Sequence, residues 1–281
     1  MKVTLWGTRG SIPTPGPETA HYGGNTSCVH VIGDGGDQLV LDAGTGIRRL
    51  GDTFPRPGGR VDLLLSHLHM DHIQGLGFFA PLYDPDAEVH IWGPASTTLG
   101  LAQRLSRYLA PPLFPVLLRD LPCDLQLHEV PCGEFEIGAF RVRADMVCHP
   151  GPTVGYRIRE GERVLCYLSD HEPALGMDGF ELEKLEHGWV SGHALAEGAD
   201  LLIHDTQYTS EEYRERVGWG HSSVSQCLTF ARFARVEHLV AFHHDPARTD
   251  EALAELALRA AGQGDLPFRV TIGAEGDVFK L

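Results

Sequence analysis

The sequence has no apolar run approaching the roughly 18 residues that a membrane-spanning helix needs, so no membrane partner is expected. Its first residues, MKVTLWGTRG, read as a β-strand that enters a glycine turn, without the apolar core or the cleavage site of a signal peptide. Low-complexity stretches and short-period repeats are also missing. We therefore expect a cytoplasmic protein that is neither a membrane protein nor a repeat protein.

The cysteines show no CxxC spacing, which argues against a zinc ribbon and against a disulfide framework. Such scattered cysteines are typical of reduced structural thiols in a cytosolic enzyme. The six residues are Cys28, Cys123, Cys132, Cys148, Cys166 and Cys227.

Basic residues are few relative to acidic ones. The chain has 23 Lys and Arg against 38 Asp and Glu, which gives a formal net charge of -15 at pH 7. Because binding along a nucleic-acid backbone depends on Lys and Arg, extended nucleic acid is not expected as a partner. Bound divalent metals would offset part of the acidic charge, and the basic pairs Arg48–Arg49 and Arg104/Arg107 remain available to a small anion.

What is present is the composition of a globular protein, with 42% hydrophobic and 22% charged residues over 281 positions. In each half, short β-type runs separated by glycine-rich turns are followed by amphipathic segments, which predicts packed sheets covered by helices. The predicted strands are 3–6, 28–32, 38–42, 61–66, 89–93, 135–145, 153–160, 164–169, 201–205 and 238–243. The predicted helices are 74–80, 96–108 with Ser96 as N-cap, 211–216, 222–234 and 250–261. Residues 56–60 and 111–115 read as surface loops, and no boundary divides the chain, so we expect a single domain over 1–281.

One short segment concentrates possible metal ligands. Ser66-His67-Leu68-His69-Met70-Asp71-His72 follows the apolar run 61–65 and has the pattern HxHxDH. It offers four ligands, His67, His69, Asp71 and His72, and imidazole with carboxylate suits Zn²⁺, Mn²⁺ or Fe²⁺. An HxH alone occurs on any exposed strand, whereas the full pattern between a strand and a glycine-rich stretch predicts a metal site.

At this motif the chain resembles the metallo-β-lactamase superfamily. The resemblance implies an α/β fold, the four-layer αβ/βα sandwich, with metals held at the sheet edges by loops from both halves. It further implies a third histidine at the end of a strand, a bridging aspartate after the next hairpin, and a last histidine after a late strand. His149, Asp170, and His243 or its neighbour His244 fit these positions. Taken alone, His149 is interpreted as a structural histidine and Asp170 as a turn cap, and it is their order along the chain together with HxHxDH that favours a metal site.

The resemblance therefore implies two divalent metal ions, for which we expect Zn²⁺, with Mn²⁺ or Fe²⁺ as alternatives. One ion is assigned His67, His69 and His149, the other Asp71, His72 and His243, and Asp170 bridges them. His243 is preferred to His244 because adjacent strand residues face opposite sides and the family pattern aligns the first.

Three segments near the start, LWGTRGS at 5–11, GNTSC at 24–28 and LDAGTG at 41–46, resemble the opening of ribonuclease Z and its phosphodiesterase relatives. Arg9 departs from the small residue expected there. Leu202-Ile203-His204-Asp205-Thr206 and the later Gly218-Trp219-Gly220-His221-Ser222-Ser223 resemble the acidic segment and the His-Ser-Thr motif of that branch, although ribonuclease Z more often has glutamate at the position of Asp205.

This resemblance implies that His221 is a general acid which protonates the leaving oxygen, while Asp205 holds its tautomer and raises its pKa. The alternative is that His221 only precedes a helix capped by Ser222. With Asp71, these two residues form the predicted catalytic set. His204, which ends an apolar strand, is interpreted as structural.

The spacing between His149 and Asp170 leaves room only for a hairpin. In tRNA-processing ribonuclease Z, a long substrate-gripping arm lies at this point. We therefore predict a dinuclear metal-dependent phosphodiesterase that acts on a small substrate, a cyclic nucleotide or a cyclic sugar phosphate, with a metal-bridging hydroxide as nucleophile. Residues 14–25 and 78–119 are expected to form the pocket rim, and the resemblance also implies a homodimer.

Three other functions remain open at this point. A lactonase or thioesterase would not need the pair formed by Asp205 and His221. A ribonuclease Z-like nuclease would need a way to grip RNA, and a non-catalytic metal-binding accessory protein would not need a complete ligand set.

Overall fold

Two seven-stranded sheets form the centre of the computed structural model, which describes residues 1–55, 58–131, 133–177, 182, 184–261 and 266–281. The strands are β1 Lys2–Gly7, β2 Cys28–Ile32, β3 Gln38–Leu41, β4 Arg60–Leu64, β5 Glu88–Pro94, β6 Asp124–Val130, β7 Gly133–Ile137, β8 Phe140–Met146, β9 Val154–Glu160, β10 Arg163–Leu168, β11 Leu201–Asp205, β12 His238–Phe242, β13 Arg269–Ile272 and β14 Val278–Lys280. The strand orders are β14-β1-β2-β3-β4-β5-β6 and β13-β12-β11-β10-β9-β8-β7.

Both sheets are mixed, and their parallel parts supply the site. Strands β3 to β6 are parallel in the first sheet, and β10 to β13 are parallel in the second. Strand β8 is antiparallel to β9, which is antiparallel to β10, so β8 points the same way as β10. Because ligand sites of such sheets lie outside the carboxyl ends of the strands, the residues that follow these strands are placed for a common site.

Helices cover the outer face of each sheet. The helices in the described part of the chain are α1 Ile47–Gly51, α2 Met70–Ile73, α3 Leu101–Leu105, α4 His193–Ala196, α5 Ser210–Arg214, α6 Val224–Phe233 and α7 Asp250–Ala261. In β3, Leu39 and Leu41 join the apolar core between the sheets, whereas Val40 joins the cluster that contains α1 and α3. A third cluster packs α4 and α6 against the second sheet. This alternation gives the layers helix, sheet, sheet and helix, which confirms the predicted fold.

Several predicted elements have other bounds in the structure. The predicted strand 135–145 is two strands, β7 and β8, because Gly138 adopts φ +54° in a tight turn between them. The strands β6, β13 and β14 were missed. Strand β14 returns to pair with β1 from the far end of the chain, a pairing that local sequence does not reveal.

The predicted helices were less accurate. The helix expected at 74–80 is replaced by α2, which begins inside the metal motif, and by two short 3₁₀ segments, Leu76–Phe78 and Ala80–Tyr83. Ser96 was wrong as an N-cap, because α3 begins at Leu101 with Gly100 as its N-cap. The Ser96 hydroxyl instead accepts a hydrogen bond from the amide of Thr98 at 3.3 Å.

Among the described residues, five cysteines are free thiols, and Cys132 lies outside this range, as do Arg56 and Pro57 of the predicted loop 56–60. No helix in the described part of the chain is long and apolar enough to cross a membrane. That residues 1–281 form a single domain stays a prediction.

Candidate metal centre and active site

The HxHxDH motif bends from a strand into a short helix. Strand β4 ends at Leu64, and His69 is the extended N-cap residue of α2, with φ -68° and ψ 155°. Asp71 and His72 therefore lie in the first turn of α2, while His67 lies in the preceding loop. This change of direction within six residues lets one segment contribute side chains to two neighbouring groups.

The first group consists of His67, His69 and His149, whose ligand atoms all lie within 4.8 Å of one another. His149 Nε2 lies 3.1 Å from His69 Nδ1. His149 Nδ1 donates a hydrogen bond to the carbonyl oxygen of Gly220 at 2.9 Å, which fixes the ring and leaves Nε2 directed at the group.

The second group consists of Asp71, His72, Asp170 and His243, all buried. His243 Nε2 lies 3.1 Å from Asp71 Oδ2 and 3.3 Å from Asp170 Oδ1. His72 Nε2 lies 3.0 Å from Asp170 Oδ1 and 3.3 Å from Asp71 Oδ2. Four side chains from three separate segments thus converge on one point.

Asp170 lies between the two groups, just beyond the end of β10. Its Oδ1 atom faces the second group, and its Oδ2 atom is 3.8 Å from Nε2 of both His67 and His149 in the first. The two oxygens of one carboxylate are thus divided between the groups, as a bridging ligand requires.

Two divalent cations fit this donor set. Nε2 of His67, Nε2 of His72 and Oδ1 of Asp170 are buried and have no hydrogen-bond partner among the described residues. Burial lowers the pKa of His149 to about 4 and, together with His72, lowers the pKa of His67 well below its usual value. Both imidazoles are therefore neutral, which is the form that binds metals.

The charge around His72 also favours a cation. Burial opposes a positive charge on His72, yet Asp170, Asp71 and Asp42 together raise its pKa. Three carboxylates around one imidazole attract positive charge, which a proton or a metal ion can supply.

Asp42 supports the second group from behind, a role that the sequence did not reveal. It is fully buried at φ +58°, directly after β3. Its Oδ2 atom accepts hydrogen bonds from His72 Nδ1 at 2.7 Å and from the Tyr167 hydroxyl at 2.8 Å, and Oδ1 accepts one from the Ser66 amide at 2.7 Å. It thereby sets the His72 tautomer, as carboxylates behind metal-bound histidines do. The only sequence signal was its place in the LDAGTG segment.

His243 rather than His244 reaches the centre. His243 adopts φ +58° after β12, and a Cβ atom on the neighbouring Gly10 would lie 2.4 Å from its ring. His244 points elsewhere and donates a hydrogen bond from Nε2 to the carbonyl oxygen of Gly273 at 2.8 Å. Burial lowers the pKa of His244 to about 3, consistent with a neutral structural histidine.

His221 lies beside both groups and is paired with Asp205. Its Nδ1 atom donates a hydrogen bond to Asp205 Oδ2 at 2.7 Å, and its ring centroid lies 5.0 Å from that of His243. Burial would lower the pKa of His221, but the Asp205 carboxylate raises it to about 9. His221 also belongs to two other groups of side chains whose spacing could hold a metal ion. One group is His149, Asp170 and His221, and the other is Asp205, His221 and His243. The short contact to Asp205, however, already engages Nδ1.

Asp205 is held rigidly at the end of β11. It is fully buried, and Oδ1 accepts hydrogen bonds from the amides of Gln207 at 2.9 Å and Ser222 at 3.3 Å. The adjacent His204 contacts His171, with Nε2 and Nδ1 2.9 Å apart, and stays away from the centre, as its structural interpretation requires.

The turn that carries His221 needs both of its glycines. Gly218 and Gly220 adopt φ +84° and +86°, and a Cβ atom on Gly220 would lie 2.4 Å from His149 Nδ1. The buried Glu172 carboxylate accepts hydrogen bonds from the amides of both glycines at 3.1 Å. This role of Glu172 could not be predicted from local sequence, because its partners lie more than forty positions away.

The helix after this turn is capped by Ser223 and not by Ser222. Ser223 and Gln226 form a capping box at the start of α6. The Ser222 hydroxyl donates instead to the carbonyl oxygen of His171 at 2.5 Å.

Arg9 has a structural role that accounts for its departure from the expected small residue. It is fully buried, and Nε donates to the carbonyl oxygen of Gly23 at 2.7 Å, while Nη1 donates to that of Arg248 at 2.7 Å. It thereby connects the loop after β1 to the segment after His244. In the same loop, the amide of Ser11 donates a hydrogen bond to Asp71 Oδ2 at 2.7 Å.

Comparisons with known proteins agree with this geometry. A family model described as a β-lactamase superfamily domain matches residues 38–244. Ribonuclease Z of Haloarcula marismortui is 25% identical over 86% of this chain and 86% of its own length. Among solved structures, the metallo-β-lactamase fold protein YhfI from Bacillus subtilis superposes with a TM-score of 0.70 at 20% identity, over 99% of this chain and 98% of YhfI. A diphosphatase from the PhnP family superposes with a TM-score of 0.69 at 16% identity, over 100% and 97% of the two chains.

Proposed function

The chain belongs to the metallo-β-lactamase superfamily, in its ribonuclease Z-like branch, and on that premise we propose that it is a dinuclear metal-dependent phosphodiesterase for small substrates. The observation that carries the proposal is the pair formed by His221 and Asp205, joined at 2.7 Å beside two ligand groups that share Asp170. Metal ligands alone would suit many hydrolases. An imidazole that is hydrogen-bonded to a carboxylate and lies next to these ligands suits a reaction in which a departing alkoxide must receive a proton.

Each residue has a role in this proposal. One divalent ion would be held by His67, His69 and His149. The other would be held by Asp71, His72 and His243, and Asp170 would bind both ions. Zn²⁺ fits these nitrogen and oxygen donors best, with Mn²⁺ or Fe²⁺ as alternatives. When bound, such ions neutralise phosphate charge and lower the pKa of water to about 7.

The proton transfer is assigned to His221. Its Nδ1–H bond points at Asp205, so Nε2 is the atom that delivers a proton to the departing oxygen. Asp205 holds the ring at a fixed angle and stabilises the imidazolium before the transfer. Hydrogen bonds from Gln207 and Ser222 to the other oxygen keep this carboxylate in place.

A small substrate is favoured by the connection between the two ligand groups. From His149 to Asp170 the chain contains only the hairpin of β9 and β10, with no long arm for gripping RNA. The net charge of -15 also disfavours a polyanionic partner. A ribonuclease Z-like nuclease is the second candidate, because a relative with that name aligns over 86% of its length. The cytoplasmic location and the homodimer stay predictions from the sequence.

Removal of metal is expected to abolish hydrolysis of bis-p-nitrophenyl phosphate and of cyclic nucleotides. The reason is that the residues described supply ligands and a proton donor but no nucleophile of their own. The protein is treated with a chelator, its metal content is measured by mass spectrometry, and activity is followed before and after Zn²⁺ or Mn²⁺ is added back. Full activity in protein shown to be free of metal would contradict the proposal. Hydrolysis of carboxylic esters or thioesters alone would favour a lactonase or thioesterase. If no ester of any kind were hydrolysed, a non-catalytic accessory protein would be favoured.

A further inference from the structure

A cavity of about 590 Å³ adjoins the candidate site on the side of the first ligand group. Its lining includes His67 and His69 but neither His221 nor Asp205. It lies within the range of about 300–1,000 Å³ that is typical of pockets for small molecules. A phosphodiester bound at the two groups would therefore have room for a large substituent on the side away from His221.

Apolar side chains make up most of this cavity. Leu68 lies within the HxHxDH segment and Ile73 directly after it, while Leu99 lies in the loop before α3 and Leu113 in the loop after it. Tyr108 joins them, and since its hydroxyl is bound to the carbonyl oxygen of Gln74 at 2.5 Å, its ring is what it offers to a ligand. Such a surface favours a flat, weakly polar group over a sugar ring, whose hydroxyls would lose hydrogen bonds to water.

Two arginines interrupt the apolar lining. Arg107 is exposed, and within the described part of the chain it forms no ion pair. Arg104 donates to the carbonyl oxygen of Pro94, and its only carboxylate neighbour among the described residues is Glu129 at 4.0 Å. The Nε atom of Arg104 is buried without a partner. In a chain with net charge -15, two guanidinium groups beside one cavity indicate a ligand with negative charge of its own.

We propose that this cavity binds a nucleotide substituent of the substrate, with the base against the apolar lining and a second phosphate at Arg107 and Arg104. The proposal rests on the phosphodiesterase function proposed above and narrows its substrate class. The cavity is then expected to favour nucleotide diesters over cyclic sugar phosphates. Among nucleotides, it is expected to favour those with a further phosphate group.

Three p-nitrophenyl diesters with the same leaving group test the proposal. They are the methyl ester, the thymidine 5′-ester, and the thymidine 5′-ester with a 3′-phosphate. Because the leaving group is constant, differences in kcat/KM report binding of the other substituent. We expect kcat/KM to rise about tenfold or more from the first ester to the second, and about tenfold again to the third, as one buried apolar group and one charge-assisted contact supply.

Variants identify the residues responsible. Arg107→Gln should reduce the ratio between the third and second esters to about one, and Leu99→Glu should reduce the ratio between the second and first. Arg119→Gln and Val278→Glu are matched controls, since Arg119 and Val278 are exposed and lie outside the cavity. Both controls should keep the wild-type ratios.

A binding measurement on the metal-free protein gives an independent readout. Titration with thymidine 3′,5′-bisphosphate should show binding that Arg107→Gln weakens about tenfold and that inorganic phosphate does not reproduce. Equal kcat/KM for the three esters, or binding unaffected by Arg107→Gln, would overturn the cavity proposal alone. Failure of the metal-loaded enzyme to hydrolyse any of the three would overturn the phosphodiesterase function and the cavity proposal with it.

Discussion

Replacing Asp170 by asparagine is expected to lower kcat/KM for bis-p-nitrophenyl phosphate by about 10³ or more, as loss of several kcal/mol of charge stabilisation implies. The carboxylate divides its two oxygens between the ligand groups, at 3.0 Å from His72 Nε2 and 3.8 Å from His67 and His149 Nε2. An asparagine has one oxygen and no charge, so it can serve only one group. Metal content measured by mass spectrometry should fall below two ions per chain.

Asp62→Asn is the matched control for this change. Asp62 is also buried, on β4, but its carboxylate accepts hydrogen bonds from Arg60 and Trp92 away from the centre. Its replacement tests whether loss of any buried carboxylate affects activity through stability alone. If Asp170→Asn retained two metals and kept activity within about tenfold of Asp62→Asn, the assignment of Asp170 as the shared ligand would be wrong.

Replacing His221 by alanine is expected to separate substrates by leaving group. Hydrolysis of a cyclic nucleotide, whose leaving oxygen is an alkoxide, should slow by about 10²–10⁴, the usual contribution of a general acid. Hydrolysis of methyl p-nitrophenyl phosphate should slow far less, because p-nitrophenolate leaves without a proton. Steady-state kinetics on both substrates, at matched metal content, measure the difference.

Two further variants distinguish proton donation from support of the fold. Asp205→Asn should show the same selectivity to a smaller degree, because it removes the charge that stabilises the protonated ring while keeping an acceptor near Nδ1. His238→Ala is a control histidine at the start of β12, where its Nε2 atom lies 2.9 Å from the Thr271 hydroxyl. Equal loss on both substrates in His221→Ala would show that the residue only maintains the structure.

Four of the candidate metal ligands could be named from the sequence because a single motif contains them, and their assignment as ligands stays a prediction. The apolar run before His67 predicted a strand. Because the motif directly follows this run, it was expected to lie at the end of that strand, at the edge of the sheet. His149, Asp170 and His243 came from the family resemblance, since nothing local distinguishes them from structural residues. The structure brings them together because β8, β10 and β12 all point the same way.

The supporting residues could not be predicted from local sequence. Asp42 accepts hydrogen bonds from Ser66, His72 and Tyr167. Glu172 accepts hydrogen bonds from the turn at 218–220. Each of these contacts depends on which strands become neighbours in the fold. His243 adopts a positive φ, and its ring packs so closely against Gly10 that a Cβ atom there would clash, a long-range contact that local sequence does not reveal. The start of α2 inside the motif was missed because the helix was expected to begin at Gln74, after the histidine cluster.

The most direct test of the account compares two substrates on one metal-loaded preparation. The enzyme is supplied with a cyclic nucleotide or bis-p-nitrophenyl phosphate in one reaction, and with a precursor tRNA that carries a 3′ trailer in the other. The hairpin between His149 and Asp170 and the net charge of -15 predict hydrolysis of the small diesters and an intact precursor. Removal of the trailer with no hydrolysis of the small diesters would contradict the account and assign the chain to RNA processing.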